Sequence, residues 1–541
     1  MSVEHVVESL AECAFQATFA DGLQMFYAAR DRAPQAAAVH YFDTTLSYAQ
    51  LDRQANALAA FWQAQGVVAG DRVGLFLQNV PQFVIGLIAS WKLGAIAVSI
   101  NPMNRARELS LLLEDSQARV LMCHDSLYHE VVAQLERRPD SLLLVVTGDQ
   151  ALQSRNDPRI FGVPSAPAGE GFTLSEITHS WANAEPVFAP IQGSDVATIV
   201  YTSGTTGLPK GVEHTHSNFA FNSEAFCNWA ALGGGESILA MAPLFHVTGL
   251  VLHIGVAFAC AAPLVLTARF HPEVFAEAVQ THQATFTIGA ITAFIALLNA
   301  DGVRSEQLAS LSKIYSGGAP IPDAVVSAYR QKFGHDIRAV YGLTETTSVA
   351  TAVPHDRLAA CNEEGQQSVG LPIHATELRI ANEQGEQLGT GSVGEILIRG
   401  PQVMRGYWQR PEATYEVMSD GFLRSGDVGY LDAEGWLFLV DRMKDVIIAS
   451  GFKVWPREVE DVLYSHPDVR EAAVVGVKDD YRGESVKAVV SLKAGAQVTP
   501  EQLMVFCKSR MAAYKYPRQI DICDDLPKTS SGKVMRKALR G

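Results

Sequence analysis

Cysteine is sparse in this 541-residue chain: Cys13, Cys123, Cys227, Cys260, Cys361, Cys507 and Cys523 are scattered, odd in number and form no C-x-x-C pair. Such a set supports neither a disulfide framework nor a thiolate metal site, and a reducing compartment is the simplest reading. Positive charge is short as well. Lys and Arg number 43 against 58 Asp and Glu, a formal charge of −15. That balance argues against nucleic acid as a general partner, since phosphate backbones need a basic surface. Long apolar runs are missing too: the longest, residues 250–266, falls short of a membrane span, contains His253 and Pro263, and reads as buried core. The first residues, MSVEHVVESLAE, carry glutamates where an export signal carries lysines, and the last, Leu539-Arg540-Gly541, are not a peroxisomal Ser-Lys-Leu. A cytoplasmic protein without an integral membrane segment is expected.

What is present suits a folded enzyme, with 48% apolar and 19% charged residues. The length exceeds what one hydrophobic core supports, so two or more domains are expected. Ser47 with Gln50 makes a capping box. Leu51, Ala55, Leu58 and Trp62 then recur on one helical face until Gly66. Apolar strands at 73–77, 95–100 and 120–123, with a helix at 82–93, give the order of a mostly parallel α/β sheet. Residues 156–171, rich in Pro and Gly, read as a surface loop, and no internal repeat is visible.

The sharpest local signal is YTSGTTGLPKGV at residues 201–212. Val196-Ala197-Thr198-Ile199-Val200 leads into it as a buried strand. Gly204 and Gly207 allow backbone angles and close approaches that a side chain forbids. Thr202, Ser203, Thr205 and Thr206 add hydroxyls and Lys210 adds a mobile cation, which are the groups phosphate oxygens want. A flexible linker shares this composition but not the strand before it or the Pro-Lys-Gly after it. A Walker A loop needs Gly-Lys-Ser/Thr at its end. Here Gly207 is followed by Leu208-Pro209-Lys210-Gly211, and the spacing fails.

Further segments follow in order: Met241-Ala242-Pro243-Leu244-Phe245-His246-Val247-Thr248-Gly249, Ser316-Gly317-Gly318-Ala319-Pro320, Tyr341-Gly342-Leu343-Thr344-Glu345, Ser425-Gly426-Asp427, the charged stretch Asp441-Arg442-Met443-Lys444-Asp445, Ser450-Gly451-Phe452, and Pro527-Lys528-Thr529-Ser530-Ser531-Gly532-Lys533. Taken singly, these are compatible with a satisfied core histidine, plain turns, an Asp bonding its own backbone, a solvated linker and a solvated lysine. Together they resemble the adenylate-forming superfamily of acyl-CoA synthetases, firefly luciferase and peptide-synthetase adenylation domains. The likeness runs from Leu46 to Lys533.

The resemblance implies an α/β fold: a large N-terminal domain of α/β subdomains (1–440) that binds ATP and the acyl group. A small mobile α+β C-terminal lid (441–541) follows, with a hinge near 441–445 and Lys444 at the pivot. Thr202, Ser203, Gly204, Thr205, Thr206, Gly207 and Lys210 would cradle phosphates. Gly317, Gly318, Ala319 and Pro320 would border the nucleotide together with Tyr341, Gly342, Leu343, Thr344 and Glu345. Tyr341 would pack on adenine, Thr344 would meet the α-phosphate, and Glu345 with Thr206 would hold Mg²⁺, a cation that prefers hard oxygens and substrate phosphates. Asp427, all acceptor when ionised, would take the ribose hydroxyls, with Arg442 turned toward ribose or phosphate. Phe245, His246, Val247, Gly249, Leu250 and Ile288 would line the acyl pocket, His246 standing where carboxylate and thiol tunnels join, as base or as lining. Ser450, Gly451 and Phe452 would meet CoA, and Lys533 would bridge the carboxylate and the α-phosphate.

The implied reaction joins a carboxylic acid to CoA through an acyl-adenylate, with ATP and CoA as co-substrates. Catalysis would rest on Lys533, His246, Thr344, Glu345 and Lys210. No Asp stands in the Phe245-His246 segment to pair an amine, which disfavours an amino-acid substrate. The chain ends eight residues after Lys533, so no carrier domain is expected. Gly394-Glu395-Ile396-Leu397-Ile398-Arg399-Gly400-Pro401 and Met404-Arg405-Gly406-Tyr407-Trp408 look most like bacterial fatty-acyl-CoA synthetases of medium or long chain. Aryl-CoA ligases share much of this. A silent acyl- or nucleotide-binding homologue would lack Lys533, Glu345 or Lys210, and all three are present. A luciferase-like oxygenase is a third alternative. Transient membrane-surface contact and a homodimer stay open.

Overall fold

The computed structural model describes residues 15–139, 141–202, 209–319, 321–363, 366–449, 452–479, 483–529 and 532–540. The expected Ser203, Gly204, Thr205, Thr206 and Gly207 of the phosphate loop, Pro320, and Ser450 with Gly451 lie outside them.

The capping box forms as read: Ser47 Oγ accepts from the Gln50 amide while Gln50 returns a bond to Ser47 N, opening the helix Tyr48–Ala64. The next elements are Arg72–Phe76, the helix Pro81–Lys92, Ile96–Ser99 and Val120–His124, each within a residue or two of its expected bounds. These strands pair in parallel. Every residue of Pro81–Lys92 is buried, which is why that helix shows no polar face. Its one charge, Lys92, meets Asp52 at 2.6 Å.

Those strands form the middle of an eight-stranded sheet, whose edge carries Val196–Thr202, then Lys210–Thr215, then Gly406–Tyr407. Lys210–Thr215 folds back antiparallel, placing Thr202 opposite Lys210 and Val200 opposite Val212. The phosphate-loop motif therefore joins the two strands of a hairpin. A nine-stranded sheet stands beside this one. Its parallel strands Phe286–Gly289, Lys313–Gly317 and Ile337–Tyr341 are in register, with Gly317 opposite Val340. Gly317 and Tyr341 thus end on one rim, the carboxyl end of parallel strands where such sheets bind ligands.

Residues 250–266 are buried apart from the half-buried Ala259, Ala261 and Pro263, in line with a core reading: a π-helical turn Leu250–Gly255, the helix Val256–Cys260 and the strand Leu264–Leu266. Among the described residues no helix is long and apolar enough to cross a membrane. Residues 156–171 hold no helix or strand, yet Asp157 is buried and bonded to Arg159. That loop is pinned rather than loose.

An antiparallel sheet follows, with Phe422–Leu431 paired to Gly394–Arg399 and to Leu437–Arg442. Ser425-Gly426-Asp427 sits between two sequence patterns that read as separate strands, and instead it lies inside one, Phe422–Leu431. Glu395 opposes Val428 and Leu397 opposes Arg424, so the three residues bulge against one partner, and Gly426 takes φ +69° there. A Gly-Asp pair reads as a turn in sequence because a bulge uses the same left-handed glycine.

The small C-terminal domain has its own sheet, in which Val469–Asp479 and Gly483–Leu492 form the long pair. The sequence pattern predicts helices at 457–464 and 500–511 and strands at 472–477 and 486–492, and the helices form at Pro456–Tyr464 and Pro500–Lys508. Three strands were not foreseen: Ile447–Ala449, Phe452–Val454 and Gln519–Cys523. Val454, Val459, Leu463, Val474 and Leu503 form a separate core.

Candidate active site

Three side-chain groupings converge from these elements. The first surrounds Lys210. Thr202 and Lys210 face each other where the hairpin strands end, and Thr202 Oγ1 reaches the Lys210 carbonyl at 3.4 Å. The Lys210 ammonium lies over the Tyr407 ring, 4.8 Å from its centroid. The Tyr407 hydroxyl donates to Glu345 Oε1 at 2.8 Å. Burial and the Glu345 charge push that phenol up, so it stays a donor.

Lys210, Val212 and His214 share one face of their strand by its period of two. His214 is buried, and its Nε2 meets the Thr344 carbonyl at 2.7 Å. A carbonyl only accepts, so Nε2 carries the proton and Nδ1 accepts from Thr198 Oγ1 at 3.2 Å. Burial holds this imidazole neutral, with its pKa down to about 4. The Thr344–Thr346 turn is gripped a second time by the Met404 amide, which donates to the Glu345 carbonyl at 2.8 Å. Gly342 must be glycine, because a Cβ there would lie 1.6 Å from the Ser348 carbonyl oxygen. The Leu343 amide donates to Thr346 Oγ1 at 2.8 Å.

The second grouping is Tyr341, Asp427 and Arg442. Asp427 Oδ2 accepts from the Tyr341 hydroxyl at 2.9 Å, and Oδ1 meets Arg442 Nε at 3.0 Å. Burial raises the Asp427 carboxyl pKa and Arg442 opposes the rise. Asp427 raises the Arg442 pKa in turn.

The third grouping brings the C-terminal loop in. A Cβ on Gly318 would lie 2.7 Å from Lys533 Cε and 3.0 Å from Nζ, and Gly318 itself holds φ +77°. Ala319 follows it. The Gly532 carbonyl accepts from Thr292 Oγ1 at 3.1 Å. Burial first and Arg442 second lower the Lys533 pKa to about 8, opposed by Asp427 and Glu345.

His246 faces the same charge. Burial, then Lys533, push its pKa down to about 3. Its Nδ1 accepts from the Thr248 amide at 3.3 Å, so the neutral ring carries its proton on Nε2. A nitrogen bearing a proton donates; it takes none. Of the remaining expected acyl-wall residues, Phe245, Val247, Leu250 and Ile288 are all buried in one cluster. Gly249 plays a packing part: a Cβ there would meet the Pro243 carbonyl oxygen at 2.1 Å. Phe452 is exposed and stacks on Tyr514, centroids 4.7 Å apart. Lys444 stands in the short turn Met443–Asp445, where burial and Arg442 lower its pKa.

Among the described residues no group of three or more His, Cys, Asp or Glu could hold a metal. Glu345 offers one carboxylate, which fits a Mg²⁺ ion that takes most of its ligands from substrate phosphates and water. Tyr407, His214 and Thr292 were missed as site residues. The strand period from Lys210 pointed to His214, whereas Tyr407 and Thr292 reach the site only through tertiary pairing.

Residues 26–408 match the AMP-binding enzyme family, and residues 458–533 match the AMP-binding enzyme C-terminal domain. The chain is 34% identical over 521 residues to a long-chain-fatty-acid–CoA ligase of Bacillus subtilis, covering 94% of this chain and 92% of that one. It is 35% identical over 507 residues to a feruloyl-CoA synthase of an Amycolatopsis species, covering 94% and 96%. The structure of an anthranilate CoA ligase in complex with anthranoyl-AMP superposes with a TM-score of 0.85 at 25% identity, covering all of this chain and 98% of that one. With both parts matched in order and the adenylate-forming fold in place, the chain belongs to the AMP-binding enzyme family.

Proposed function

We propose that this enzyme, an AMP-forming acid–thiol ligase, joins an apolar monocarboxylic acid, a fatty acid of medium or long chain, to CoA. A carboxylate oxygen attacks the α-phosphorus of ATP and the bond to pyrophosphate breaks. The CoA thiol, losing its proton to solvent, then attacks the acyl carbon and AMP leaves. Lys210, Lys533 and the loop amides stabilise developing charge without a covalent intermediate. Tyr341 and the 317–319 turn border adenine, Asp427 and Arg442 take the ribose, and Thr344 meets the α-phosphate. Glu345 would hold Mg²⁺, which supplies charge neutralisation on the phosphates when bound. His246 donates from Nε2 toward the carboxyl group rather than serving as a base. The chain divides at the Met443–Asp445 turn, with Lys444 at the pivot of a lid spanning residues 441–541 that rotates after the first step and withdraws Lys533 before the thiol attacks.

The observation that carries the choice of acid is the buried wall of Phe245, Val247, Leu250 and Ile288 beside a neutral histidine. Likeness to fatty-acid–CoA ligases supports it. An aryl acid is the second reading, favoured by the feruloyl-CoA synthase relatives. Incubation with ATP, CoA and an acid panel tests both. AMP and pyrophosphate are the expected products of ATP, and ADP would sink the ligase reading. Each methylene that meets apolar wall contributes about 0.8 kcal/mol, so efficiency should climb with chain length until the pocket fills. A flat profile from four carbons upward, beside rapid turnover of a cinnamate or benzoate, selects the aryl acid instead.

A further inference from the structure

The segment 404–408 is bonded on both sides. On one, Tyr407 pairs with Val212 and Gly406 with Glu213, and the Trp408 amide donates to the Gly211 carbonyl at 2.7 Å. On the other, the Met404 amide holds the Glu345 carbonyl at 2.8 Å. The Tyr407 amide is fixed in turn by Thr414 Oγ1 at 2.9 Å. Tyr407 is buried, and its ring stands between the hairpin that bears Lys210 and the turn that bears Glu345.

We propose that Tyr407 is a positioning residue for the phosphate end of the nucleotide, its ring face seating the Lys210 ammonium and its hydroxyl seating the Glu345 carboxylate. The proposal rests on the roles given above to Lys210 and Glu345. A lysine and a glutamate on flexible stems attract each other, and a closed ion pair would withhold both from a triphosphate and its cation. A rigid neutral ring that satisfies each charge separately keeps them apart and aimed. Its two functions sit on different atoms, so they separate by substitution. Tyr407→Phe keeps the face and deletes the donor, whereas Tyr407→Leu deletes both.

Calorimetric titration of the full chain with ATP, with and without Mg²⁺, reads this without any acid or turnover. Residues that orient a metal ligand typically contribute 10–100-fold to metal affinity. Tyr407→Phe should bind metal-free ATP like the parent while needing about tenfold more Mg²⁺ for the same tightening. Tyr407→Leu should show that loss and also bind metal-free ATP several-fold more weakly. ATP–pyrophosphate exchange should show the Phe variant's defect shrinking as Mg²⁺ rises. The proposal is overturned if Tyr407→Phe matches the parent in both titrations. Equal weakening of both, with a lowered melting temperature, also overturns it, since that marks a packing role. If Tyr407→Leu does not fold, the Phe variant alone decides. A parent protein that fails to bind MgATP would sink the adenylate-forming reading instead, whatever Tyr407 does.

Discussion

Two basic side chains in the site have been pushed away from their ordinary charge behaviour, in ways that assign them different work. His246, with its pKa near 3 and Nδ1 already accepting from Thr248, is neutral throughout pH 5–9 and offers only a proton donor. Lys533, lowered to about 8 by burial and Arg442, is a cation that is lost just above neutrality. The folded pKa lies below the usual lysine value. The unfolded chain therefore binds more protons between about pH 8 and 10.5, and burying this ammonium costs stability at neutral pH. A strained cation is what an incoming triphosphate can relieve. The adenylation kcat/KM, which reports free enzyme, should fall above about pH 8. In kcat the same limb should move upward, because bound phosphates favour the charged lysine. ATP–pyrophosphate exchange across pH 6–10 checks this, with Lys533→Arg expected to remove the limb. A limb near 6.5 that vanished in His246→Asn would show that the histidine titrates, against its donor role.

The same logic holds for elements: short turns after strands carry the proposed site residues, and glycine decides how close they come. Gly318 combines φ +77° with Lys533 packed where a Cβ would go. Gly318→Ala must pay about 1–2 kcal/mol for the left-handed backbone and displace the lysine as well. Acyl-AMP formation should fall by about tenfold or more, while thioester formation from synthetic acyl-AMP stays near the parent rate. Loss of both steps alike would make Gly318 a folding residue only. Much at this scale was legible. The Ser47–Gln50 box, the parallel strands and the two helices of the small domain follow from capping and periodicity. The strand Val196–Thr202 and the loop after it follow from a β-branched run that meets Gly, Ser and Thr, whereas the return strand Lys210–Thr215 was not foreseen. The strands Ile447–Ala449 and Phe452–Val454 were hidden because only three residues each pair with a partner, too few to show a period. The bulge at Gly426 was hidden because it spends the same glycine as a turn. Tyr407 meets Glu345 across 62 residues of sequence and His214 meets Thr344 across 130, so no local pattern could pair them.

At the scale of the whole molecule, the contacts around the proposed pivot differ from those the small domain makes far from it. Next to the proposed pivot, the Arg457 amide meets Asp441 Oδ2 at 2.9 Å, its guanidinium donates to the Leu439 carbonyl at 2.9 Å, and Arg536 lies 3.6 Å from Asp441. These can persist through a rotation about the Met443–Asp445 turn. Far along the chain from that turn, Thr292 Oγ1 holds the Gly532 carbonyl beside Lys533, and a rotation that withdraws Lys533 must break this bond. A neutral hydrogen bond contributes about 1 kcal/mol net, so its loss shifts a two-state lid by about fivefold. Thr292→Val, nearly the same shape without the donor, should slow acyl-AMP formation by up to about fivefold. It should leave thioester formation from synthetic acyl-AMP equal to or faster than the parent. Lys533→Ala removes the cation itself and should cost the first step roughly 10²–10³ while sparing the second. Single-turnover measurement of each half-reaction in each variant is the test. If Thr292→Val and Lys533→Ala depress both steps equally, the small domain does not alternate, and its lysine serves one fixed site.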